Sequence, residues 1–321
     1  MAPLPTLESI DIFSRQGETV VALGRTTIWL AALLALSILE TLWPRRPRHQ
    51  PRAVRWPTNL ALPVIGTLVV RLFAPLAPVA MAAWTQAHHG GLLPLLPGPR
   101  WLPEVIALVL LDLAIWLQHL AFHHLPFLWR WHLVHHTEED LDATSGTRFH
   151  PAETLISAFY KLLVIAVLGP APETVILFEI LLNLLAVFNH ANLALPASWD
   201  RALRLLIVTP DMHRTHHSVI RREQDSNFGF NLSLWDRLFG TYVADPRGGQ
   251  RPAPGGQGRR PLAGPEPPGR PGPAPATRSP ARRRGSAHGR RGRRGRVVSR
   301  RRRRGRLFDL EDRATDGSPA R

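Results

Sequence analysis

Fifteen histidines punctuate this chain, and most of them fall into three short clusters. The first reads His119-Leu-Ala-Phe-His123-His124, the second His132-Leu-Val-His135-His136, and the third His213-Arg-Thr-His216-His217. Residues three and four apart share a helix face, so each cluster aims two or three imidazoles in one direction. Neutral imidazole nitrogen is a ligand for Fe, Zn and Cu, and several such nitrogens crowded together are costly unless a cation coordinates them. A lone histidine carries no such weight. His49, His88, His89 and His288 are read as ordinary satisfied or exposed side chains.

The number of ligands bears on the metal. A single zinc takes three or four protein ligands, whereas the three clusters offer eight or nine imidazoles, which suits two ions. No HExxH pair of a zinc protease is present, since His136 is followed by Thr-Glu-Glu, and the Glu and Glu-x-x-His ligands of carboxylate di-iron bundles are missing. The chain has no cysteine, which excludes thiolate clusters, zinc ribbons, disulfides and cysteine nucleophiles. An all-nitrogen site for two irons is the better reading, and such a pair has the redox chemistry to use O2 against an unactivated C–H bond. A zinc-dependent membrane hydrolase using the same histidines is the alternative.

The elements that must position these residues are apolar. Thr26–Trp43 is long enough to span a bilayer with Glu40 near the interface. Asn59–Trp84 is a second apolar run, broken by Pro63, Pro75 and Pro78 and carrying Arg71. It reads as one kinked span or as a span plus an interfacial piece. Leu102–Gln118 leads into the first histidines, and Leu155–Gly169 and Pro172–Val187 flank a Gly-Pro-Ala-Pro turn, the signature of a helical hairpin. Arg45, Arg46, Arg48, Arg52 and Arg55 mark the cytoplasmic side by the positive-inside rule. Counting crossings from there returns every histidine motif to that same side. The fold class expected is all-α integral membrane: four to five spanning or re-entrant helices, with a cytosolic helical cap carrying a histidine cluster.

Charge divides the chain sharply. The formal net charge is +16, yet residues 246–321 hold 22 arginines, no lysine and five acids, which leaves the preceding body near neutral. A basic domain built for nucleic acid would not divide this way. The tail is rich in Arg, Pro and Gly, has no apolar periodicity and reads as disordered. Its composition suits a polybasic lipid-binding segment, a nonspecific nucleic-acid binder, or an out-of-frame reading of GC-rich DNA, the last being favoured. The N-terminus, with Pro3, Pro5, Glu8 and Asp11, does not read as a signal peptide. The expected organisation is N-terminal membrane helices over 1–100, a catalytic domain over 101–245 and the tail over 246–321.

From about Asp112 to Tyr242 the chain resembles the fatty acid hydroxylase superfamily, which includes sterol desaturases and sterol C4-methyl oxidases. Besides the three clusters, the resemblance rests on Leu128-Trp129-Arg130-Trp131, Arg148-Phe149-His150-Pro151, His190-Ala-Asn192, Asp225-Ser-Asn227-Phe-Gly229 and Leu234-Trp235-Asp236-Arg237-Leu-Phe239-Gly240-Thr241. It implies iron ligands at His119, His123, His132, His135, His136, His213, His216 and His217. His150 and His190 are implied as further members from their RxHP and HxN contexts, and His124 competes with His123 for one place. The implied activity is hydroxylation or desaturation of a lipid C–H bond by O2 and two electrons from a separate ferredoxin or reductase. The lipid would come from the bilayer through a cleft between spans and cap.

Supporting roles follow. Asp112, one helical face from His119, is expected to accept an imidazole N–H, with Asp211 and Asp225 doing similar work. Arg130 and Arg148 are expected to pair with lipid phosphate or with Glu138, Glu139 and Asp140. Trp235–Thr241 reads as a structural lock on the cap, with Asn227 in a turn.

Overall fold

Five helical stretches are long and apolar enough to cross a membrane: Ala22–Leu42, Arg52–Ala87, Trp101–His124, Pro151–Leu168 and Pro172–His190. The structure, a computed structural model, describes residues 7–73 and 77–244. The reading of 246–321 therefore falls outside the described residues. Among those described, the chain is helical, and its only β pairings are two isolated bridges.

Helix α1 spans Leu7–Leu42 and α2 spans Arg52–Phe73. After residues 74–76, which lie outside the description, α3 covers Pro78–Ala87. Ten residues rise only about 15 Å, too short to cross alone, so the second apolar run is a span plus a shorter piece. The loop after α3 returns to the turn between the last two candidate spans, where Gly91 and Gly169 meet backbone to backbone at positive φ and any side chain would collide.

Helix α4, Trp101–His124, is the most buried of the five candidate spans. Its Ala107, Leu111 and Ile115 form the main apolar core with Ala82, Ile165, Leu168, Val175 and Phe178. The hairpin appears as α6, Pro151–Leu168, and α7, Pro172–His190. Each begins with a proline in its first turn, where the missing N–H costs nothing. Gly169, left-handed at φ +67°, closes α6. Outward residues such as Leu30, Leu34 and Ile38 on α1, or Leu72 and Phe73 on α2, stay exposed as a lipid-facing surface requires.

The C-terminal ends of α1, α4 and α7 and the N-terminal ends of α2 and α6 meet at one end of the bundle. A polar helical cap covers that end. It consists of α5 (Pro126–His136), a 3-10 turn at Ala143–Thr147, α8 (Ala197–Leu203), α9 (Pro210–His216), α10 (Arg221–Gln224) and α11 (Leu234–Leu238).

Buried charge ties cap to bundle. Arg55 is buried on α2 and pairs with Glu138 at 2.9 Å and with Asp142. Asn59 donates to Glu138 and to Thr144. Glu40, expected near the interface, is fully buried there, because it serves as an acceptor for the cap. It takes the backbone N–H groups of Ala143 (3.1 Å) and Asn192 (3.0 Å) and pairs with Arg52 at 2.7 Å. The basic stretch after α1 is thus partly structural.

Candidate metal centre

Helical spacing sorts the histidines into two groups. On α4, His119 and His123 are four residues apart and face the cap together. On α5, His132 and His136 share a face while His135 points to its side; on α9 and its cap residue, His213 and His217 share a face while His216 turns the other way. The first group gathers His119, His123, His132, His136 and His216. The second gathers His135, His190, His213 and His217. Each HxxHH motif therefore serves both groups, two imidazoles to one and the third to the other.

All nine side chains are buried, and within each group the ligand nitrogens lie within 4.8 Å of one another. The closest approaches are between Nε2 atoms. They are 3.2 Å for His119–His132 and His132–His136 and 3.1 Å for His123–His136 in the first group. In the second they are 3.1 Å for His135–His190 and His190–His213 and 3.2 Å for His213–His217. Two nitrogens bound at about 2.1 Å to one ion, at right to tetrahedral angles, stand about 3.0–3.4 Å apart. The two groups also abut, with His136 and His217 stacked at 4.4 Å between ring centroids.

The outer nitrogens show which way the rings are protonated. The Nδ1–H of His119 donates to the Phe228 carbonyl (2.7 Å), that of His190 to Ala186 (2.7 Å), that of His216 to Ser226 (2.7 Å) and that of His135 to Arg148 (3.3 Å). His132 Nδ1 donates to the Glu153 carboxylate at 2.7 Å. With those protons outside, the inner Nε2 atoms present lone pairs to one another in a water-poor interior, and His216 Nε2 has no hydrogen-bond partner at all. Lone pairs facing at 3.1 Å repel unless a cation lies between them. The donor set fits metal.

Electrostatics points the same way for the cap histidines. Burial, then the neighbouring imidazoles, holds His135, His136, His213 and His217 well below the usual histidine range, and burial takes His216 down to about 3. These rings are neutral at physiological pH, as ligands must be.

His150 is not brought to either group. It caps α6, its Nδ1 accepting the Ala152 N–H at 3.0 Å, and its ring lies against Trp131. His124 is exposed and bonds back to the Leu120 carbonyl, so the place beside His119 falls to His123. Asp112 does not accept from an imidazole. It takes the Trp235 indole N–H (2.8 Å) and the Leu232 N–H (3.2 Å), which fastens the last cap segment to α4. Asp211 pairs with Arg45, and Asp225 pairs with Arg221 while standing 3.6 Å from His123 Nδ1. Arg148 reaches Asn59 and the Val134 carbonyl, with Glu138 at 3.8 Å; Arg130 lies over Trp131.

One support was missed in the sequence, and a second lies within the Trp235–Thr241 segment expected to act as a lock. Glu153 orients His132, and only the proline-started helix beside it hinted that it faces the site. Asp236 accepts from Phe228 N (2.8 Å), Gly229 N (2.9 Å), Trp116 Nε1 (3.1 Å) and Thr241 Oγ1 (2.7 Å). Burial pushes its carboxyl up, against the pull of those bonds. It fixes the loop whose Phe228 carbonyl holds His119. Asn227, at φ +51°, donates to Met212 and Val243 and ties α9 to the same loop.

A cavity of about 760 Å³ opens from His119 and His132 into the space between α1, α2, α4, α6 and α7. Phe122, Phe149 and Phe230 line its histidine end; Trp29, Leu60, Val64 and Leu68 line its flank.

Comparison with known proteins agrees with this geometry. Residues 104–241 match the family described as fatty acid hydroxylase. The chain carries a fatty acid hydroxylase domain. That domain holds both histidine groups and places the chain among oxidoreductases acting on lipids. The chain is 26% identical over 226 residues to an ornithine lipid hydroxylase, OlsE, of Rhizobium tropici, covering 68% of this chain and 67% of that one. It is 28% identical to the cholesterol 25-hydroxylase of Rattus norvegicus over 58% of this chain and 62% of that one. It is 30% identical to the alkylglycerol monooxygenase of Danio rerio, over 44% of this chain but only 30% of the relative. No solved structure matches this chain.

Proposed function

We propose that this chain is a membrane-bound non-haem di-iron oxygenase that hydroxylates or desaturates a lipid C–H bond with O2 and two external electrons. The observation that carries this reading is the pair of buried, inward-facing imidazole groups at the end of a lipid-sized cavity between membrane helices. His119, His123, His132, His136 and His216 would hold one iron, and His135, His190, His213 and His217 the other. When bound, the two irons supply reductive activation of O2 and an oxidant for an unactivated C–H bond.

The chain's own residues supply orientation and exclusion. The carbonyls of Phe228, Ala186, Ser226 and Arg148, with the Glu153 carboxylate, hold the outer ring protons so that Nε2 faces inward. Phe122, Phe149 and Phe230 keep water from the histidine end of the cavity, and the lipid lies along the apolar wall of α1 and α2. Both hydroxylation and desaturation begin with removal of hydrogen from a carbon held there. The electrons come from a separate ferredoxin or reductase, and the histidine end faces the cytoplasm with Arg45–Arg55. The names of the relatives, which act on ornithine lipid, cholesterol and alkylglycerol, are consistent with a lipid substrate.

Metal analysis of the purified full chain, with O2 uptake in the presence of a reductant, tests the reading. It calls for near two Fe per chain and uptake that His135→Ala abolishes while membrane insertion persists. Zinc in place of iron, with turnover indifferent to O2, would identify a hydrolase instead.

A further inference from the structure

The cavity has a second chemical end. Arg25 on α1, Lys161 on α6 and Arg71 on α2 line it there, and Glu179 on α7 pairs with the first two. The acid in its lining, Glu153, is taken up by His132. Glu179 is buried and shared: Arg25 Nη2 stands 2.6 Å from Oε2, and Lys161 Nζ stands 3.2 Å from Oε1. One carboxylate cannot neutralise two cations. Arg71 has no ion-pair or hydrogen-bond partner among the described residues, and the Arg25 Nε is buried without an acceptor.

Cations placed within apolar spans are expensive and are retained where they face a polar cavity or a ligand. Pairing Glu179 with either Arg25 or Lys161 alone would settle its own charge. The second cation and Arg71 then exceed what the fold needs, and a donor without an acceptor is left at the cavity wall. The complement of such a wall is an anion that arrives with the substrate.

Resting on the reading that the His119/His132 end is the reactive end, we propose that the Arg25–Lys161–Arg71 wall binds the acidic group, carboxylate or phosphate ester, of an anionic lipid whose reacting carbon lies at the histidines. The spacing follows from the helices. Glu153 and Lys161 are eight residues apart on α6, and Ala186 and Glu179 are seven apart on α7, separations of about 12 and about 10 Å along the axes. The cationic wall therefore lies about two helical turns along the bundle from the histidine end, so it biases position as well as filtering charge.

Probe binding to the metal-stripped full chain in neutral nanodiscs tests this without relying on turnover. The probes are oleate, oleyl phosphate and oleyl alcohol, with inorganic phosphate as competitor. Both anionic lipids should bind at least about tenfold more tightly than the alcohol, the size that a charge-assisted hydrogen bond carries. Lys161→Met leaves Arg25 and Glu179 as a neutral pair, so the fold keeps its buried carboxylate partnered. That variant, and Arg71→Gln, should each erode the preference for acid while leaving alcohol binding in place. Equal binding of acid and alcohol by the unaltered protein would overturn the proposal, as would a preference indifferent to both substitutions. Displacement of oleate by inorganic phosphate alone would show a site for a free anion and overturn the lipid assignment. If the acid preference holds while the iron-loaded protein consumes no O2, the oxygenase reading fails and the anionic subsite stands. If O2 is consumed but acid and alcohol bind alike, only the subsite fails.

Discussion

Glu153 accepts the Nδ1 proton of His132 at 2.7 Å, and both side chains are buried at the seam between α5 and α6. The bond does two things at once. It fixes the tautomer that leaves Nε2 free, and it raises the basicity of that nitrogen. Glu153→Gln keeps the shape and removes the charge. Such a change is expected to weaken metal retention in the first histidine group by about 10- to 100-fold. Iron remaining after graded chelator challenge measures it. Unchanged retention would mean that the carboxylate does not tune the ligand.

The second group depends on a close backbone approach. The 3-10 turn at Ala143–Thr147 packs on α7 so tightly that a Cβ on Gly146 would collide with the Ala186 carbonyl and stand 3.2 Å from His190 Nδ1. That carbonyl is the acceptor that orients His190. Gly146→Ala should therefore turn His190 out of line and lower metal content toward one ion per chain, while the first group, built without His190, still loads. Two ions retained at full affinity would refute this.

Much of the site was legible because helical period and histidine identity are both local properties. The i,i+4 pairs His119/His123, His132/His136 and His213/His217 can be read from spacing, and the turn at Gly169 from its Gly-Pro chemistry. What spacing could not show is which face each element turns to the others. Asp112 sits seven residues before His119, on the same face of the helix, yet it is claimed by Trp235 from a distant segment. His150 carries the sequence context of a ligand, but as the residue before Pro151 it becomes the helix cap, and its nitrogen is spent on Ala152. Glu40, Glu153 and Asp236 are buried carboxylates whose partners are mostly backbone N–H groups or residues far along the chain. No pattern in sequence announces such contacts.

The loop joining α1 to α2 is held by Asp140, which gives the cap a defined acid sensitivity. Although burial acts to raise its carboxyl, the N–H groups of Gln50 and His49, the His49 ring and the Arg55 charge hold it below the ordinary carboxylate range. A carboxylate lowered on folding contributes stability that is complete above its unfolded value of about 3.9. That contribution is lost as pH falls through the still lower folded value. Protease accessibility of the Arg45–Arg52 loop should accordingly stay flat at neutral and mildly acidic pH and rise only below about pH 4. In Asp140→Asn the loop should be accessible at neutral pH. Loop release in the unaltered protein near pH 6 would show that another group controls it.

Sidedness can be tested directly because the chain has no cysteine to remove. Val219 is exposed in the cap on the histidine side, and Arg100 is exposed just before α4 at the opposite end of that helix. A helix of 24 residues is about 36 Å long, enough to put its two ends on opposite sides of a hydrocarbon core of about 30 Å. With the Arg45–Arg55 stretch inside, Val219→Cys should react with a membrane-impermeant maleimide only after cells are opened, and Arg100→Cys should react in intact cells. The reverse pattern would place the histidines outside the cytoplasm, away from ferredoxin or reductase, and would remove the electron supply on which the proposed oxygenase depends. Reaction of both cysteines from one side would instead mean that α4 does not cross.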